Sequence, residues 1–266
     1  MTDPRGLALV TGASSGIGRA FADRLAADGF PLLLVARREE RLRELATLLA
    51  ERHGVQVGFA VADLATASGR ETCRDAVDAV GGVVDTVVLN AGFGAMGAVA
   101  DVGRERQTSM VALNCEAVVD LACHVLPGMI ARARGTVIVI ASAAAAQPIP
   151  YMATYAATKA FDLAFAEALA VELRGTGVRA IGVCPGPTST EFSQASGASY
   201  GSRWLPRETA DGVVVATFAA LERGRSRVAT GRLSKLTTFA AAVLPRRMVV
   251  WAAGSVHKRF ERHGGN

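Results

Sequence analysis

The chain of 266 residues is long enough for one α/β domain with a large buried core and short for two such domains. Hydrophobic residues make up 50% and charged residues 20% of it, which excludes a disordered chain. The net charge of +5 comes from the basic segment between Arg232 and Arg262, and because no zinc-finger spacing, basic heptad or RNA-binding motif accompanies it, nucleic-acid binding is disfavoured.

The N-terminal segment MTDPRGLALVTG lacks the long apolar region of a secretory signal, because glycines interrupt its apolar run at once. The four cysteines, Cys73, Cys115, Cys123 and Cys184, form no CxxC pair and no paired spacing. A disulfide framework or zinc site therefore has little support. We expect a cytoplasmic protein with reduced thiols and no metal.

Short apolar runs alternate with longer helical patterns along the chain. The runs occupy 7–11, 32–36, 55–61, 83–90, 135–142 and 178–184, and the helical patterns occupy about 17–28, 39–53, 67–80, 104–131, 152–174 and 207–222. Strands without a polar face, separated by helices, are typical of a parallel sheet covered on both sides. The sequence predicts one domain of the α/β class, a doubly wound parallel sheet whose ligand crevice lies at the carboxyl ends of the strands.

A glycine-rich turn links the first predicted strand to the first predicted helix. It reads Thr11-Gly12-Ala13-Ser14-Ser15-Gly16-Ile17-Gly18. Glycines let a pyrophosphate approach the backbone, and the start of a helix favours its negative charge. The spacing is GxxxGxG rather than GxGxxG, so the dinucleotide fingerprint matches in mechanism and context but not letter for letter.

A literal GxGxxG occurs at 92–97, after the fourth predicted strand. The residues that follow it do not begin a helix pattern, and an acidic ribose partner is missing at the usual offset, so an ordinary loop is the better interpretation. Asn90, Ala91 and Gly92 still end a strand at the crevice, where they are expected to contact a cofactor.

The second predicted strand ends in Ala36-Arg37-Arg38. An NAD site would have an acidic residue near position 36, whereas guanidinium groups suit the 2′-phosphate of NADP through charge-assisted hydrogen bonds. The alternative is that both arginines begin a charged, solvated helix. After the third strand, Asp63 and Leu64 are candidates for binding adenine, and Asp63 could equally cap the next helix.

Tyr155 and Lys159 lie four residues apart in a helical pattern, hence on one face of a helix. An ammonium group beside a phenol favours the phenolate and brings this weak acid toward acid–base catalysis. Ser142, at the end of the fifth strand, could hydrogen-bond a substrate oxygen, although a lone serine there is more often a turn residue.

Together these segments resemble the short-chain dehydrogenases/reductases. The motifs TGASSGIG, NAG at 90–92, Ser142, YAATK and PGPT at 185–188 follow that family's order and approximate spacing over about residues 5–230. The resemblance implies a Rossmann-like fold and hydride transfer between a nicotinamide and a carbonyl or alcohol. The Ala36-Arg37 ending is similar to that of the NADP-preferring members.

The resemblance also assigns roles to residues that their local pattern does not. It makes Asn114 the catalytic asparagine that helps to place Lys159 and a proton-relay water, where the local pattern indicates only a polar residue within a helix. It also implies that Tyr155 and Lys159 contact the cofactor and that Lys159 holds its ribose. Thr188, after Pro185 and Gly186, would hold the nicotinamide carboxamide, and Ile17 would approach the pyrophosphate. Leu89 stands where the family often has a second asparagine, which weakens that motif.

Two segments bear on the substrate. Residues 189–206 form a loop-rich segment with Phe192, Tyr200 and Trp204, which predicts a lid over an apolar ligand or, equally, aromatics that dock the loop on the core. Residues 231–266 are expected to be a C-terminal extension packed on a catalytic domain formed by residues 1–230. The extension could cover the pocket, form an oligomer contact or, with less support, touch a membrane surface.

We therefore expect an NADP(H)-dependent oxidoreductase acting on a lipophilic ketone, aldehyde or alcohol, and assembling as a homodimer or homotetramer. The main alternative is a dinucleotide-binding regulatory or scaffolding protein with little turnover, since fold does not determine function. A nucleotide-sugar epimerase or dehydratase is disfavoured by Ala36-Arg37 and by the small space left for a substrate domain.

Overall fold

The computed structural model describes residues 5–81, 83–192 and 207–261. Seven parallel strands form one sheet in the order β3-β2-β1-β4-β5-β6-β7. The strands are β1 Leu7–Thr11, β2 Leu32–Ala36, β3 Val57–Val61, β4 Val84–Leu89, β5 Gly135–Ile140, β6 Val178–Cys184 and β7 Arg227–Ala229. The order reverses between β1 and β4, which makes the sheet doubly wound, and the predicted fold class is confirmed.

Nine helices are described. They are α1 Gly16–Ala27, α2 Glu39–His53, α3 Ala67–Ala79, α4 Arg104–Val111, α5 Ala117–Ala131, α6 Ala153–Glu172, α7 Ala210–Glu222, α8 Arg232–Val243 and α9 Arg246–Glu261. A π-helical turn, Ala112–Glu116, joins α4 to α5, and a 3₁₀ turn, Ala143–Ala146, follows β5. The glycines that follow α1, α2, α3 and α6 have positive φ angles, the conformation that often ends a helix; they are Gly29, Gly54, Gly81 and Gly175.

Each face of the sheet buries its own core, because successive side chains of a strand point to opposite faces. In β1, Leu9 packs into the core beneath α3, α5 and α6, while Ala8 and Val10 pack into the core beneath α1, α2 and α7. The continuous apolar runs of the strands are thus explained by helices on both sides.

The continuous helix Arg104–Ala131 is long and apolar enough to cross a membrane by length and composition alone. Leu121, Val125 and Met129 on this helix are buried in the core shared with the sheet. Its apolar face is therefore occupied by the protein itself, as in the core helix of a globular domain.

Two features differ from the predicted elements. The short strand β7 was not predicted, because three residues that pair only with β6 leave no periodic pattern. Residues 207–209, predicted as helix, precede α7, and Glu208 instead forms a parallel bridge with Thr188. This bridge ties the segment after β6 to the segment before α7.

Candidate active site

A cavity of about 950 Å³ opens at the carboxyl ends of the strands, where the strand order reverses. Its lining includes almost every residue that the sequence nominated: Gly12, Ser14, Ser15, Gly16, Ile17, Arg37, Arg38, Asp63, Leu64, Asn90, Ala91, Gly92, Ser142, Tyr155, Lys159, Pro185, Gly186 and Thr188. Of the nominated residues, Gly18 and Asn114 do not line it and are buried behind its wall.

The glycine-rich turn is shaped by contacts that only glycine permits. Gly12 and Gly16 have positive φ angles of 64° and 54°. A Cβ atom on Gly18 would lie 2.4 Å from the carbonyl oxygen of Gly12 and 2.6 Å from Nδ2 of Asn90. The side chain of Ser15, at the start of α1, caps none of the described N–H groups. The turn and the helix start therefore fit a pyrophosphate, because backbone N–H groups face the cavity without a Cβ in the way.

Asn90 fastens this turn to the end of β4. Its side-chain amide donates a hydrogen bond to the Thr11 carbonyl oxygen at 2.9 Å. In return, the Thr11 hydroxyl oxygen accepts from the backbone N–H groups of Asn90, at 2.9 Å, and Ala91, at 3.0 Å. The two strands that border the crevice are thus held at a fixed spacing. The residues at 91–97 form no helix, as predicted for the second glycine pattern.

Arg38 lies against the glycine-rich turn. Its guanidinium donates to the hydroxyl oxygens of Ser14 and Ser15, both at 2.9 Å, and to a carboxylate oxygen of Glu191 at 2.7 Å. Arg41 donates to the other oxygen of Glu191 at 2.6 Å. These hydrogen bonds lower the pKa of Glu191, which is exposed at the surface. Two cations therefore share the Glu191 carboxylate beside the glycine-rich turn.

Arg37 and Asp63 face each other at the same end of the cavity. The Arg37 side chain is 72% exposed, and its guanidinium lies 3.8 Å from the carboxylate of Asp63. Asp63 accepts a hydrogen bond from the backbone of Ala65 at 3.1 Å. The N-cap of α3 is Thr66, whose hydroxyl accepts from Gly69 at 3.0 Å, so the alternative that Asp63 caps this helix is wrong.

Tyr155 and Lys159 lie one turn apart on α6 and are 8% and 5% exposed. Burial raises the pKa of Tyr155, and this rise is opposed by the charge of Lys159 and by a hydrogen bond with Ser142. The Ser142 hydroxyl also accepts from the backbone N–H of Ala144 at 3.1 Å, which fixes it at the end of β5. The phenol, the ammonium and the hydroxyl thus share one wall of the cavity.

Lys159 is held by two acceptors. Its Nζ donates to the Ile140 carbonyl oxygen at 2.8 Å and to Oδ2 of Asp162 at 2.9 Å. Burial by itself lowers the pKa of a lysine, but the nearby Asp162 and Tyr155 outweigh this effect and raise the pKa of Lys159. The side chain is therefore an ammonium ion at neutral pH.

Asn114 braces the wall from behind. It lies fully buried in the π-helical turn, where Oδ1 accepts from the Phe93 N–H at 3.1 Å and Nδ2 donates to the Phe93 carbonyl oxygen at 3.0 Å. Nδ2 also donates to the Thr158 hydroxyl at 2.9 Å. A π turn shifts the side-chain direction within a helix and occurs often at functional sites. Local helical periodicity therefore could not reveal this position.

Asp162 is not among the residues nominated from the sequence, although its position three residues after Lys159 on a helix is a usable signal. The sequence pattern also does not indicate which C-terminal residues reach the cavity. Those that line it are Ser234, Thr237, Ala240, Leu244, Met248, Val249, Trp251, Ala252 and Ala253. The Ser234 hydroxyl donates to the Cys184 carbonyl oxygen at 2.8 Å and so joins α8 to the end of β6.

The segment predicted as a lid is described only up to Phe192, and Tyr200 and Trp204 lie outside the described residues. The ring of Phe192 packs on the ring of Tyr155, with centroids 5.4 Å apart and planes inclined by 45°. Phe192 also lines the cavity. The start of the segment therefore contributes an apolar surface directly beside the phenol.

Comparisons with known proteins agree with this geometry. Residues 6–201 match the family described as short chain dehydrogenase. Sulfoacetaldehyde reductase 2 of Chromohalobacter salexigens is 38% identical over 207 residues, which cover 76% of this chain and 81% of that protein. The inactive hydroxysteroid dehydrogenase-like protein 1 of Pongo abelii is 29% identical and covers 96% of this chain and 77% of its own.

Among solved structures, a short-chain dehydrogenase from Sphingobium yanoikuyae in complex with NADPH superposes with a TM-score of 0.80. It is 30% identical, over 85% of this chain and 87% of its own. The family match spans well over half of the chain, and the fold and the cavity agree with it. The chain therefore belongs to the short-chain dehydrogenase/reductase family of oxidoreductases, which act on CH–OH groups with a nicotinamide dinucleotide cofactor.

Proposed function

We propose that this protein is an NADP(H)-dependent oxidoreductase that interconverts a lipophilic ketone or aldehyde and the corresponding alcohol. The observation that carries the proposal is the buried pair of Tyr155 and Lys159, which shares one cavity with Ser142 and with the glycine-rich turn. A phenol supported by an ammonium group has the chemistry needed to exchange a proton with an alkoxide-like oxygen.

Preference for NADP(H) is supported by the charges at the end of β2. Ala36 offers no carboxylate to the ribose hydroxyls, and Arg38 lies beside the turn with its guanidinium on the hydroxyls of Ser14 and Ser15. A 2′-phosphate suits such a guanidinium. Because Glu191 pairs with the same group, the phosphate would compete with Glu191, and Arg37 would supply a second, more exposed cation.

We assign the remaining cofactor contacts by their place along the cavity. The pyrophosphate is assigned to the glycine-rich turn, the adenine to Asp63 and Leu64, and the ribose side to Asn90, Ala91 and Gly92. The nicotinamide is assigned to the segment after β6, with Pro185, Gly186 and Thr188. We predict no metal in the reaction.

A bound nicotinamide would supply the hydride for carbonyl reduction or accept it in alcohol oxidation. In reduction, Tyr155 Oη donates its proton to the carbonyl oxygen while the Ser142 hydroxyl orients that oxygen. In oxidation, the phenolate of Tyr155 accepts the proton of the alcohol. Lys159 favours the phenolate by its charge. Asn114 keeps this wall in place through Phe93 and Thr158.

A lipophilic substrate is supported by the apolar side chains that line the cavity outside the cofactor motifs. Ile149 and Phe192 line the wall near Tyr155, and Leu244, Met248 and Val249 line it from the C-terminal helices. The relative from Chromohalobacter salexigens is named for a small anionic aldehyde, so a polar substrate is the direct competitor of this proposal. Desolvating a sulfonate against these apolar side chains would be costly.

The C-terminal residues bear on partners and location. We propose that α8 and α9 cover the cavity, because they line it and because Val249 and Ala253 are buried. Residues 231–266 would then be the packed extension expected from the sequence. A homodimer or homotetramer and a cytoplasmic location stay predictions, as does contact of the exposed Phe239 and Trp251 with a membrane surface.

A second candidate is a dinucleotide-binding regulator with little turnover. It is favoured by the relative named as an inactive hydroxysteroid dehydrogenase-like protein, which covers nearly the whole chain. Against it, Asn114, Tyr155 and Lys159 are buried, and Ser142 lies half-buried beside the Tyr155 phenol. Burying these polar groups is costly, and although Tyr155 and Lys159 are also expected to contact the cofactor, binding alone does not require the Ser142 hydroxyl beside the phenol.

The two candidates are separated by measuring NADPH oxidation, with NADH in parallel, across lipophilic ketones, 3-oxoacyl thioesters, steroids and aldehydes that include a small sulfonated one. We expect turnover that prefers NADPH and the apolar carbonyls. Turnover only with the sulfonated aldehyde would contradict the lipophilic substrate. Tight NADPH binding without turnover on any carbonyl would favour the regulatory candidate.

A further inference from the structure

We propose that Asp162 is a positioning residue that holds the Lys159 ammonium in place and sets the pH range in which Tyr155 acts as an acid. The inference rests on the proposed oxidoreductase function. It begins from a contact between two buried charges: Asp162 is fully buried, Lys159 is 5% exposed, and Oδ2 of the carboxylate lies 2.9 Å from Nζ.

Stability alone does not explain why the Asp162 carboxylate is buried. Its second oxygen, Oδ1, is buried and has no hydrogen-bond partner among the described residues. Well-accommodated buried carboxylates usually receive several hydrogen bonds, and a buried ion pair is often no more stable than an apolar pair of similar size. Asp162 therefore has Lys159 as its hydrogen-bond donor among the described side chains, and the role of Lys159 beside Tyr155 explains the buried carboxylate better than stability does.

The spacing of Tyr155, Lys159 and Asp162 on α6 sets their order along the helix. Residues 155, 159 and 162 succeed one another on one face of α6, so along the helix Asp162 follows Lys159 on the side opposite to Tyr155. The Ile140 carbonyl oxygen at the end of β5 provides the second contact. The Ile140 carbonyl and Asp162 are thus two acceptors of the Lys159 ammonium, and Lys159 also lines the cavity.

Three titratable groups respond to Asp162: Lys159 and Tyr155 on α6 and Cys115 on the π-helical turn. Burial raises the pKa of Tyr155 and Cys115, and the charge of Asp162 raises both further. For Lys159, burial acts in the opposite direction, and Asp162 is the largest of the effects that restore a high pKa. Asp162 thus keeps Lys159 charged while it restrains how far Lys159 favours the phenolate.

The loss of Asp162 should change the alkaline limb of the pH profile for carbonyl reduction. Carbonyl reduction needs Tyr155 with its proton and Lys159 with its charge, and both conditions fail at the alkaline end of the pH profile. Removing a negative charge makes proton loss easier for both groups. Loss of Asp162 therefore moves the alkaline limb of the reduction profile toward lower pH, whichever of the two groups loses its proton first.

The test compares Asp162→Asn with the wild type in two measurements. The first is the pH dependence of kcat/KM for reduction. The second needs no turnover: it is the ultraviolet titration of the Tyr155 phenol, isolated by subtracting the Tyr155→Phe variant, in a chain with only three tyrosines. We expect the midpoint of the reduction profile to fall by about one pH unit. The phenol midpoint falls as well where Lys159 keeps its charge, and it rises where the loss of Asp162 neutralises Lys159 and removes the charge that favours the phenolate. Asp162→Glu, which restores the charge, should return both midpoints toward wild type.

A matched control is Asp85→Asn. Asp85 is 6% exposed and pairs with Arg134 at the amino end of β4, far from the cavity, so its loss removes a buried carboxylate without touching Lys159. It should lower stability and leave both midpoints unchanged. If Asp162→Asn does not fold, Asp162→Ser provides a smaller neutral side chain for the same measurements.

Unchanged midpoints in a folded neutral variant would overturn the inference and make Asp162 a structural residue. The proposed function would then still stand if Tyr155→Phe abolished turnover. Conversely, absence of turnover on any carbonyl would contradict the proposed function, and full activity of Tyr155→Phe would contradict Tyr155 as the acid, whereas a shifted phenol midpoint in Asp162→Asn would in both cases still support the electrostatic role of Asp162.

Discussion

Arg38 and Glu191 show how one surface charge pair bears on cofactor choice. The guanidinium that we propose as the 2′-phosphate contact already holds a carboxylate at 2.7 Å. Because an exposed pair of this kind is weak in water, it can be exchanged for a more highly charged ligand. Under this proposal, the pair would reduce the affinity for the phosphate without abolishing it.

We predict that Glu191→Gln lowers the KM for NADPH about threefold and leaves the KM for NADH unchanged, because the phosphate no longer competes with a carboxylate. Steady-state kinetics with both cofactors measure this. Glu39→Gln is the control, since Glu39 pairs with Arg43 on α2 and does not line the cavity. An equal change for NADPH and NADH would contradict a phosphate site at Arg38.

We predict the opposite effect for Arg38→Ala. It should raise the KM for NADPH by about tenfold or more, since a charge-assisted hydrogen bond to phosphate contributes on the order of 1.5–3 kcal/mol. The KM for NADH should change little. If Arg37→Ala gives the larger loss instead, the phosphate contact belongs to the more exposed arginine.

At the residue level, the sequence could predict side chains whose partner lies one helical turn or one motif away. Tyr155 and Lys159 were found in this way. Asn114 came only from the family resemblance, because its π-helical turn breaks the local period. Glu191 could not be found, since it meets Arg38 across 153 positions of the chain.

Among the elements, the start of α1 leaves no room for a side chain at Gly18. Gly18→Ala would place a Cβ atom 2.4 Å from the Gly12 carbonyl oxygen, so the turn would have to move. We predict at least a tenfold loss of NADPH affinity and a free energy of unfolding lower by about 1–3 kcal/mol. Calorimetric titration and chemical denaturation measure the two effects.

Gly103→Ala serves as its control, because a Cβ there meets nothing within 4 Å and the φ angle is negative. It should bind NADPH normally and lose no more than about 1 kcal/mol of stability, since Gly103 is the N-cap of α4, where alanine is less favourable than glycine. Unchanged binding in Gly18→Ala would contradict a pyrophosphate site at this turn.

The C-terminal helices carry the prediction on substrate class. Met248 on α9 lines the cavity, so Met248→Ser should reduce kcat/KM for a lipophilic ketone about fivefold, equivalent to roughly 1 kcal/mol of lost apolar contact. A small aldehyde should be unaffected. Val215→Ser on α7 is the control, because Val215 is exposed and lies outside the cavity. Equal losses for both substrates would count against a lipophilic site.

At the level of elements, six strands were predicted because each is a continuous apolar run bounded by turns. The boundaries shifted where the local pattern was ambiguous: β3 begins at Val57 rather than at residue 55. A C-terminal extension was predicted, but which of its residues line the cavity depends on contacts with β6 and the 3₁₀ turn, which no local pattern contains.

For the whole molecule, burial also determines thiol reactivity. Burial is the main cause that raises the pKa of Cys73 to about 12 and the pKa values of Cys115 and Cys184 to about 11, while Cys123 is exposed. We predict one fast-reacting thiol near pH 8 in the native protein and four in denaturant. Cys123→Ser should remove the fast phase. Rapid reaction of several native thiols would contradict the described core.

The arrangement of the whole sheet brings the site together. Reversal of the strand order between β1 and β4 places the glycine-rich turn and the ends of β4, β5 and β6 around one cavity. This arrangement could be predicted from the alternation of strands and helices and from the right-handedness of parallel crossovers. The oligomeric state could not be predicted in this way, because exposed apolar residues of one chain do not identify the surface that covers them.

The most direct test of the central claim is kcat/KM for NADPH-dependent carbonyl reduction in Tyr155→Phe against Tyr151→Phe. The first variant removes only the hydroxyl that donates the proton, so we predict a loss of at least about 100-fold, the scale of general acid catalysis. The second removes a phenol four residues earlier and should retain wild-type activity within about twofold. Comparable activity in the two variants would contradict the assignment of Tyr155 as the acid.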